Sequence, residues 1–478
     1  MSKEQHVMPL DLKESPDILL VNVPSTFQQG IIPDRRDPPF GLLRLASVSE
    51  KYGYKSALLD IDRARIDLSE FDDILYGIKP KLIGINPTSV NITEAQEIAE
   101  LCAIRDIPFI VGGVHATLDP ITALKRDFSE AKAVVKGKGE IPILHILNDF
   151  KFKRETKEKG ILYQETNNNK PMFADYYSLD QIPLIDQNRW VENPILEKVI
   201  EIDGKIVKLR EISLYETTGC PFKCTYCATP ALTGKTDGYK SYYRPSIQKI
   251  LKDVDSAVKS GANAIHFLDD MAFTQPNHFY EFNEGIEKMN LSEKLYWRGM
   301  TRASIINNCS DKDLDILKKS GCWRITLGVE SGSDVILKRI KKGITTEQVR
   351  ESILKLKKAG IPQIKAFFIM GFPEETMDQM RATHDFIMEL KHLGLTNINI
   401  FQFKPYPGTE EWQFLEKTNP NVLRELSYIK NRIKSEDSIV DTKISQDAWL
   451  RDDIKISTIK SKDVRELVIE TMEEFYKK

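Results

Sequence analysis

Three cysteines in one short stretch, Cys220, Cys224 and Cys227, follow the spacing CxxxCxxC within Thr217-Thr218-Gly219-Cys220-Pro221-Phe222-Lys223-Cys224-Thr225-Tyr226-Cys227. Such a loop can bring three thiolates to one metal centre. A four-iron, four-sulfur cluster held by three thiolates keeps one iron without a protein ligand, able to bind and react with a small molecule. A closed zinc site needs a fourth ligand, usually from a second paired motif, and no companion CxxC or HxxxH occurs elsewhere. Disulfides are not expected, because the chain shows no signal peptide or long apolar span and so points to a reducing cytoplasm. Cys102, Cys309 and Cys322 are scattered singletons that suit buried structural positions.

The elements that would position this loop follow from the alternation of apolar and amphipathic runs. An apolar stretch at 212–215 precedes the loop and predicts a strand. From 206 to 408, strands at 264–268, 295–300, 323–328, 364–370 and 398–403 alternate with long helices, the pattern of a partial parallel barrel. Barrel chemistry sits at the carboxyl ends of strands. The polar residues collect there: Asp269-Asp270, Thr301-Arg302, Glu330-Ser331, Gly371-Phe372-Pro373 and Lys404-Pro405-Tyr406.

Residues 15–150 alternate in the same way but with shorter units. Strands at 17–23, 55–61, 81–86, 108–112 and 131–136, with helices starting near Phe40, Leu68, Ile92, Leu118 and Glu140, predict a flavodoxin-like, doubly wound α/β domain. Its strand ends carry Pro24-Ser25, Asn86-Pro87-Thr88-Ser89, Gly112-Gly113-Val114-His115 and Gly137-Lys138-Gly139-Glu140. Glycines let a backbone approach a bulky ligand closely, and hydroxyls can bond a phosphate or an amide-rich cofactor; tight turns alone are an equal reading of the same glycines. Residues 151–205 form a connector, in which Asn167-Asn168-Asn169 and Asp203-Gly204 predict two hairpins. In the tail, 409–478, Trp412, Phe414, Leu415, Leu423, Leu426 and Tyr428 suggest helices and 464–475 an amphipathic terminal helix; closing the barrel mouth and simple packing explain it equally.

Composition fits a chain of two to three domains. With 68 Lys and Arg against 70 Asp and Glu, the net charge is −2 and the signs are interspersed, giving neither a nucleic-acid stripe nor a membrane face. The lysine-rich tracts at 151–159 and 338–342 read as solvated surface.

Taken together, the cysteine loop and the strand-end sets on both sides of the connector resemble the cobalamin-binding radical S-adenosylmethionine (SAM) enzymes, over about four fifths of the chain. Pro38-Pro39-Phe40-Gly41-Leu42 and the GGxH segment ending at His115 strengthen the likeness. The resemblance implies a cobalamin domain followed by a partial (β/α)6 barrel and a small helical carboxyl region. It implies that Cys220, Cys224 and Cys227 hold a [4Fe–4S] cluster and that Tyr226, Arg302, Glu330, Ser331, Gly371, Phe372 and Pro373 contact SAM. It assigns Thr88, Ser89, Gly112, Gly113, His115, Gly137, Gly139 and Glu140 to cobalamin. His115 is not expected to ligate cobalt, since no DxHxxG is present, and Lys138 replaces a glutamate usual in the Gly-Glu-Gly-Glu segment.

The activity so implied is methylation of an unactivated carbon, or of a phosphinate phosphorus, through a 5′-deoxyadenosyl radical and methylcobalamin. A cyclase or rearrangement enzyme that transfers no methyl group is the alternative. A methylthiotransferase is disfavoured, because the amino-terminal domain holds only Cys102 where an auxiliary cluster would need three cysteines. Expected partners are a small-molecule or peptide substrate and an electron donor such as flavodoxin or ferredoxin.

Overall fold

Runs that are apolar at nearly every position, such as ILLVN at Ile18–Asn22 and AVV at Ala133–Val135, belong in strands covered on both faces, and they are buried accordingly. The computed structural model describes residues 7–8, 15–24, 37–64, 66–89, 91–154, 157–164, 171–191, 194–235, 238–426 and 452–477. They form two units, one within Met1–Pro194 and Ala231–Lys240, the other within Ile195–Pro230, Ser241–Glu425 and Leu450–Lys478.

The first unit is a seven-stranded sheet of β1 (Val7–Met8), β2 (Ile18–Asn22), β3 (Ser56–Asp60), β4 (Ile83–Ile85), β5 (Phe109–Val111), β6 (Ala133–Val135) and β7 (Ile161–Leu162), in the order β1-β3-β2-β4-β5-β6-β7. The five inner strands are parallel, and β1 and β7 add antiparallel edges. The chain reverses its direction of travel across the sheet at β2, the flavodoxin-like switch point. Helices Phe40–Lys51, Leu68–Ile78, Ile92–Ile104 and Glu140–Phe152 begin where expected. One expectation is corrected: the helix placed near Leu118 starts at Gly113, directly off β5, and stops at Leu118, where Asp119 caps a new turn opening on Pro120.

The second unit begins with a hairpin, β8 (Leu196–Ile202) and β9 (Lys205–Leu214), turned by Asp203 and Gly204, both at positive φ as a two-residue hairpin demands. The expected Asn167–Asn169 hairpin, Ser25 and Tyr428 lie outside the described residues. After a short ribbon, β10 (Thr218–Gly219) with β11 (Tyr242–Tyr243), come β12 (Ala264–Phe267), β13 (Tyr296–Thr301), β14 (Cys322–Glu330), β15 (Gln363–Met370) and β16 (Asn397–Gln402). The sheet order β16-β15-β14-β13-β12-β9-β8 is parallel from β9 to β16, giving a six-stranded half-barrel edged by antiparallel β8. Side chains alternate between the two faces. Trp297 on β13, and Ile364, Ala366, Phe368 and Met370 on β15, are buried on the helix-covered outer face, where Trp297 packs with Phe267, Phe273 and Phe282. Their neighbours Arg298, Met300, Lys365 and Phe367 are half-buried on the inner face. Helices Glu410–Thr418, Pro420–Glu425 and Ser461–Tyr476 complete the unit, and the Tyr476 hydroxyl bonds both the N–H (3.0 Å) and the carbonyl (3.1 Å) of Ile398.

Candidate active site

The cysteine loop is held at both ends. At its start β10 pairs with β11, and the Cys220 N–H donates to the Ser241 carbonyl at 2.9 Å. Two-residue strands leave no periodic signal, so this ribbon escapes sequence reading. Further along, the Thr225 N–H donates to the Ile340 carbonyl at 3.0 Å and its hydroxyl to Glu411 Oε1 at 2.6 Å, while Arg339 grips the same carboxylate through two bonds of 3.0 Å. Below the loop, Asp269 Oδ1 accepts the N–H groups of Glu216, at 3.0 Å, and Thr217. Asp269 therefore clamps the turn at the barrel mouth, and Asp270 accepts the Thr229 hydroxyl at 3.2 Å.

All three thiols are free of disulfides. Burial pushes Cys220 up to about 11 and raises Cys227 as well, and each of these thiols feels a fellow cysteine of the loop. A bound metal reverses that balance by taking the thiolate. Among the described residues no three His, Cys, Asp or Glu side chains are grouped to hold one metal ion. A cluster does not require such a group, because each thiolate takes a different iron. Arg302, one of the residues expected to contact SAM, is buried against the loop: Nη1 lies 3.5 Å from Cys224 Sγ, Nη2 donates to the Lys342 carbonyl, and the guanidinium stacks 3.7 Å from the Phe222 ring centre.

Glu330 ends β14 at φ 77°, a left-handed conformation that costs a branched or long residue about 1–3 kcal/mol unless its surroundings impose it. Its carboxylate is held by Lys342. Lys342 Nζ lies 2.6 Å from Glu330 Oε1 and 3.3 Å from the Tyr226 hydroxyl, with both charged side chains buried. A Cβ at Gly328 would come within 2.7 Å of Glu330 Oε1 and 2.9 Å of Lys342 Nζ, so glycine is what admits the pair. The expectation that 338–342 is all solvated surface is thus corrected at Lys342, which is 4% exposed. Tyr226 meets Phe372 edge-on, with ring centres 5.6 Å apart. Ser331 is fully buried, its hydroxyl engaged by Thr383 (3.2 Å) and the Ser333 N–H (3.1 Å), which leaves it supporting the turn.

Gly371 turns the chain after β15 at φ 89°, and the N–H groups of Gly371 and Phe372 donate to Glu375 Oε2 at 2.6 and 3.0 Å, just beyond Pro373. Burial lifts the Glu375 carboxyl to about 7 against the pull of those two donors. Lys342, Arg339, Glu375 and Glu411 were not anticipated. Glu375, following Gly371-Phe372-Pro373 at a helix start, left a usable signal, but Lys342 looks in sequence like its exposed neighbours.

In the first unit the predicted residues lie after β4, β5 and β6. Thr88 is spent locally, its N–H and hydroxyl both donating to Asn91 Oδ1 at 2.7 and 2.8 Å. Three other buried polar atoms find no hydrogen-bond partner among the described residues: Ser89 Oγ, His115 Nδ1 and Glu140 Oε2, one after each strand. The other ring nitrogen of His115 lies 2.9 Å from Asp127 Oδ2. The glycines divide by cause. Gly113 needs φ 87° and sits 3.3 Å, as a built Cβ, from Asn86; Gly137, also at positive φ, and Gly139 are pressed by Phe173 and Leu45 at 3.0 Å. Gly112 is extended and nothing in the fold crowds it, its nearest neighbour to an added Cβ being Val135 at 3.8 Å. A cradle that a Cβ would narrow, ringed by unpartnered polar atoms, fits a large cofactor edged with amides.

Comparison with known proteins agrees with this division. Residues 215–387 match the radical SAM superfamily, and residues 37–147 match the B12 binding domain. The chain belongs to the cobalamin-binding radical SAM enzymes. Its cofactors are therefore SAM, a [4Fe–4S] cluster and cobalamin. It is 27% identical to an uncharacterized methyltransferase of Pyrococcus horikoshii over 84% of this chain and 83% of that one. It is 25% identical to the cytidylyl-2-hydroxyethylphosphonate methyltransferase of Streptomyces wedmorensis, over 82% and 80%. Among solved structures, the radical SAM methyltransferase TsrM of Kitasatospora setae, with cobalamin and a [4Fe–4S] cluster bound, shares the fold at a TM-score of 0.65 and 17% identity, covering 84% of this chain and 75% of that one. The cobalamin-dependent radical enzyme OxsB aligns at 0.66 and 18%, covering 88% and 63%. Among the described residues no helix is long and apolar enough to cross a membrane.

Proposed function

We propose that this radical SAM enzyme is a methyltransferase that moves a methyl group from cobalamin to an unactivated carbon, or to a phosphinate phosphorus, of a small-molecule or peptide substrate. When bound, the cluster and SAM supply a 5′-deoxyadenosyl radical and cobalamin supplies the methyl group. The observation that carries the reading is the pairing of an intact three-thiol loop with a separate glycine-lined cradle in which His115 is engaged by Asp127. That pairing joins a radical generator to a methyl carrier, and the likeness to two methyltransferases, over 84% and 82% of this chain, supports the choice of reaction.

In this reading Cys220, Cys224 and Cys227 hold the cluster, and Arg302, against the Cys224 sulfur, stabilises the thiolate charge there. Glu330, preset by Lys342, accepts hydroxyl hydrogens of the SAM ribose. Tyr226 with Gly371, Phe372 and Pro373 bounds the adenine, the turn itself being fixed by Glu375. Ser89 and Glu140 bond the amides of cobalamin, Gly112 and Gly113 admit it, Thr88, Gly137 and Gly139 shape the rim, and His115 with Asp127 forms its floor. A one-electron donor such as flavodoxin or ferredoxin reduces the cluster.

Stoichiometry tests the reaction. Methylation of a hydrogen-bearing carbon gives one S-adenosylhomocysteine and one 5′-deoxyadenosine per product, and SAM deuterated in its methyl group passes the label on. A product formed with 5′-deoxyadenosine but without S-adenosylhomocysteine or deuterium makes the protein a cyclase or rearrangement enzyme instead.

A further inference from the structure

The inner face of the half-barrel carries a concentration of positive charge that none of the roles above uses. Glu211 on β9 is gripped by Lys198 of β8, at 2.5 Å, and by Arg298 of β13, through bonds of 2.7 and 2.8 Å. Arg298 is in register with Arg324 on β14, and Arg324 directs Nε and Nη2 to Gln363 Oε1 of β15 at 3.0 and 2.8 Å, a neutral partner. Lys365 lies two residues along β15 from Gln363, so its side chain shares that face. Among the described residues the Lys365 ammonium makes no hydrogen bond or ion pair; it lies 5.1 Å from the centre of the Phe367 ring.

Four cations therefore face one carboxylate, a local excess of three positive charges, on a surface that is half-buried rather than solvated. The strain shows in the titration of its members. Although burial favours its neutral form, Arg298 and Lys198 hold Glu211 down at about 2. Burial, then Arg324, Arg298 and Lys198, push Lys365 down to about 8, and burial and Arg298 bring Arg324 to about 10. Gathering like charges where water is scarce destabilises a fold unless a counter-charge arrives.

We propose that the inner face of the half-barrel binds a multiply charged oxyanion group of the substrate, with Lys365 and Arg324 as its direct partners. Lys198 and Arg298, already committed to Glu211, supply the surrounding field. Arg324 precedes Glu330, the end of β14, by six positions and Lys365 precedes Met370, the end of β15, by five. At about 3.3 Å per residue the anchor lies roughly 16–20 Å from the strand ends. The substrate is thus an elongated molecule, anionic at one end, whose opposite end reaches the carboxyl ends of the strands. This inference deepens the methyltransferase reading and rests on it for calling the bound molecule a substrate.

Anaerobic calorimetric titration of the cofactor-loaded full chain with methyl phosphate and with succinate tests it. Saturable binding of at least one probe is expected, and tighter binding of methyl phosphate marks a phosphoryl or phosphonyl group, of succinate a pair of carboxylates. Lys365→Met and Arg324→Gln should each weaken binding by about tenfold or more, as loss of a charge-assisted partner does, while Lys365→Arg retains it. Lys365→Met removes a charge that its neighbours repel, so it should fold with an unchanged or higher Tm and keep its iron content. Absence of saturable binding in the wild type, or binding unaltered in both charge-removing variants, overturns the proposal. Label transfer from deuterated SAM reads the reaction independently, so either conclusion can fail without the other.

Discussion

The two units both carry their candidate cofactor contacts at the carboxyl ends of parallel strands, and they frame those contacts differently. Around the cysteine loop the charged side chains are each tied to the protein by at least one strong bond: Glu330 to Lys342, Glu411 to Arg339 and Thr225, Asp269 to two backbone N–H groups, Arg302 to a carbonyl and a sulfur, although Arg302 Nε and Glu375 Oε1 find no hydrogen-bond partner among the described residues. After β4, β5 and β6 the expected contact residues are tied more sparsely: Ser89, His115 and Glu140 each keep a buried atom without a hydrogen-bond partner among the described residues, and Gly112 is uncrowded. Ligands bound through metal–thiolate bonds need a rigid frame, because ligand geometry is set to fractions of an ångström. A large flat cofactor bound without covalent bonds needs space and donors left unspent.

The sharpest way to break the comparison is to remove the covalent anchor. Replacing Cys220, Cys224 and Cys227 together by Ala should abolish iron binding and 5′-deoxyadenosine formation while cobalamin content stays near one per chain. Iron analysis, product chromatography and the visible spectrum measure all three, and 5′-deoxyadenosine from the triple variant would sink the cluster assignment. Next in size is Lys342→Met, which leaves the buried Glu330 carboxylate without its counter-charge. Removing one partner of a buried pair costs roughly 3–5 kcal/mol, so calorimetry should show a lower Tm and much weaker SAM binding with iron content retained; wild-type affinity would remove Lys342 from the site.

Gly113→Val probes the other unit. Forcing a branched residue to φ 87° against Asn86 costs about 1–3 kcal/mol. Cobalamin per chain should fall while SAM cleavage persists, and a variant that retains full cobalamin would mean that this turn does not shape the cradle. The smallest effect is expected at Glu375. Its folded pKa, about 7, lies above that of an exposed glutamate, so its contribution to stability is complete below the unfolded value near 4.5 and is lost as pH rises through about 7. Thermal unfolding of the wild type should therefore lose stability over that window, and Glu375→Gln, which keeps a carbonyl oxygen for Gly371 and Phe372, should flatten the dependence. Identical slopes in the two proteins would assign the pH dependence elsewhere.

How much of this was legible in the sequence follows the same contrast. The thiol spacing is local, so it can be read from eight residues, and the strands of both sheets announce themselves by unbroken apolar runs or strict alternation. The strand-end positions of Glu330, Arg302 and Gly371 followed from them. What those residues do there depends on partners distant in sequence. Lys342 meets Glu330 across the bare Cα of Gly328, and Arg302 lies between the Cys224 sulfur and the Phe222 ring. Gly137 and Gly139 look like cradle glycines, yet Phe173 and Leu45 explain both; Gly112, identical in sequence character, is the uncrowded one. Sequence identifies a glycine, and only packing tells whether it makes room for a ligand or for a neighbour.

The last turn of Ser461–Tyr476 has a bearing on how the protein behaves at high concentration. Among the described residues β16 is the terminal strand of its sheet, and an open sheet edge is a template on which another copy can add a strand. By bonding both the N–H and the carbonyl of Ile398, the Tyr476 hydroxyl acts as a one-residue substitute for that missing strand. Fraying or deleting this turn would uncover the Ile398 backbone, so one phenol at the end of the Ser461–Tyr476 helix guards a sheet edge against pairing with a second copy.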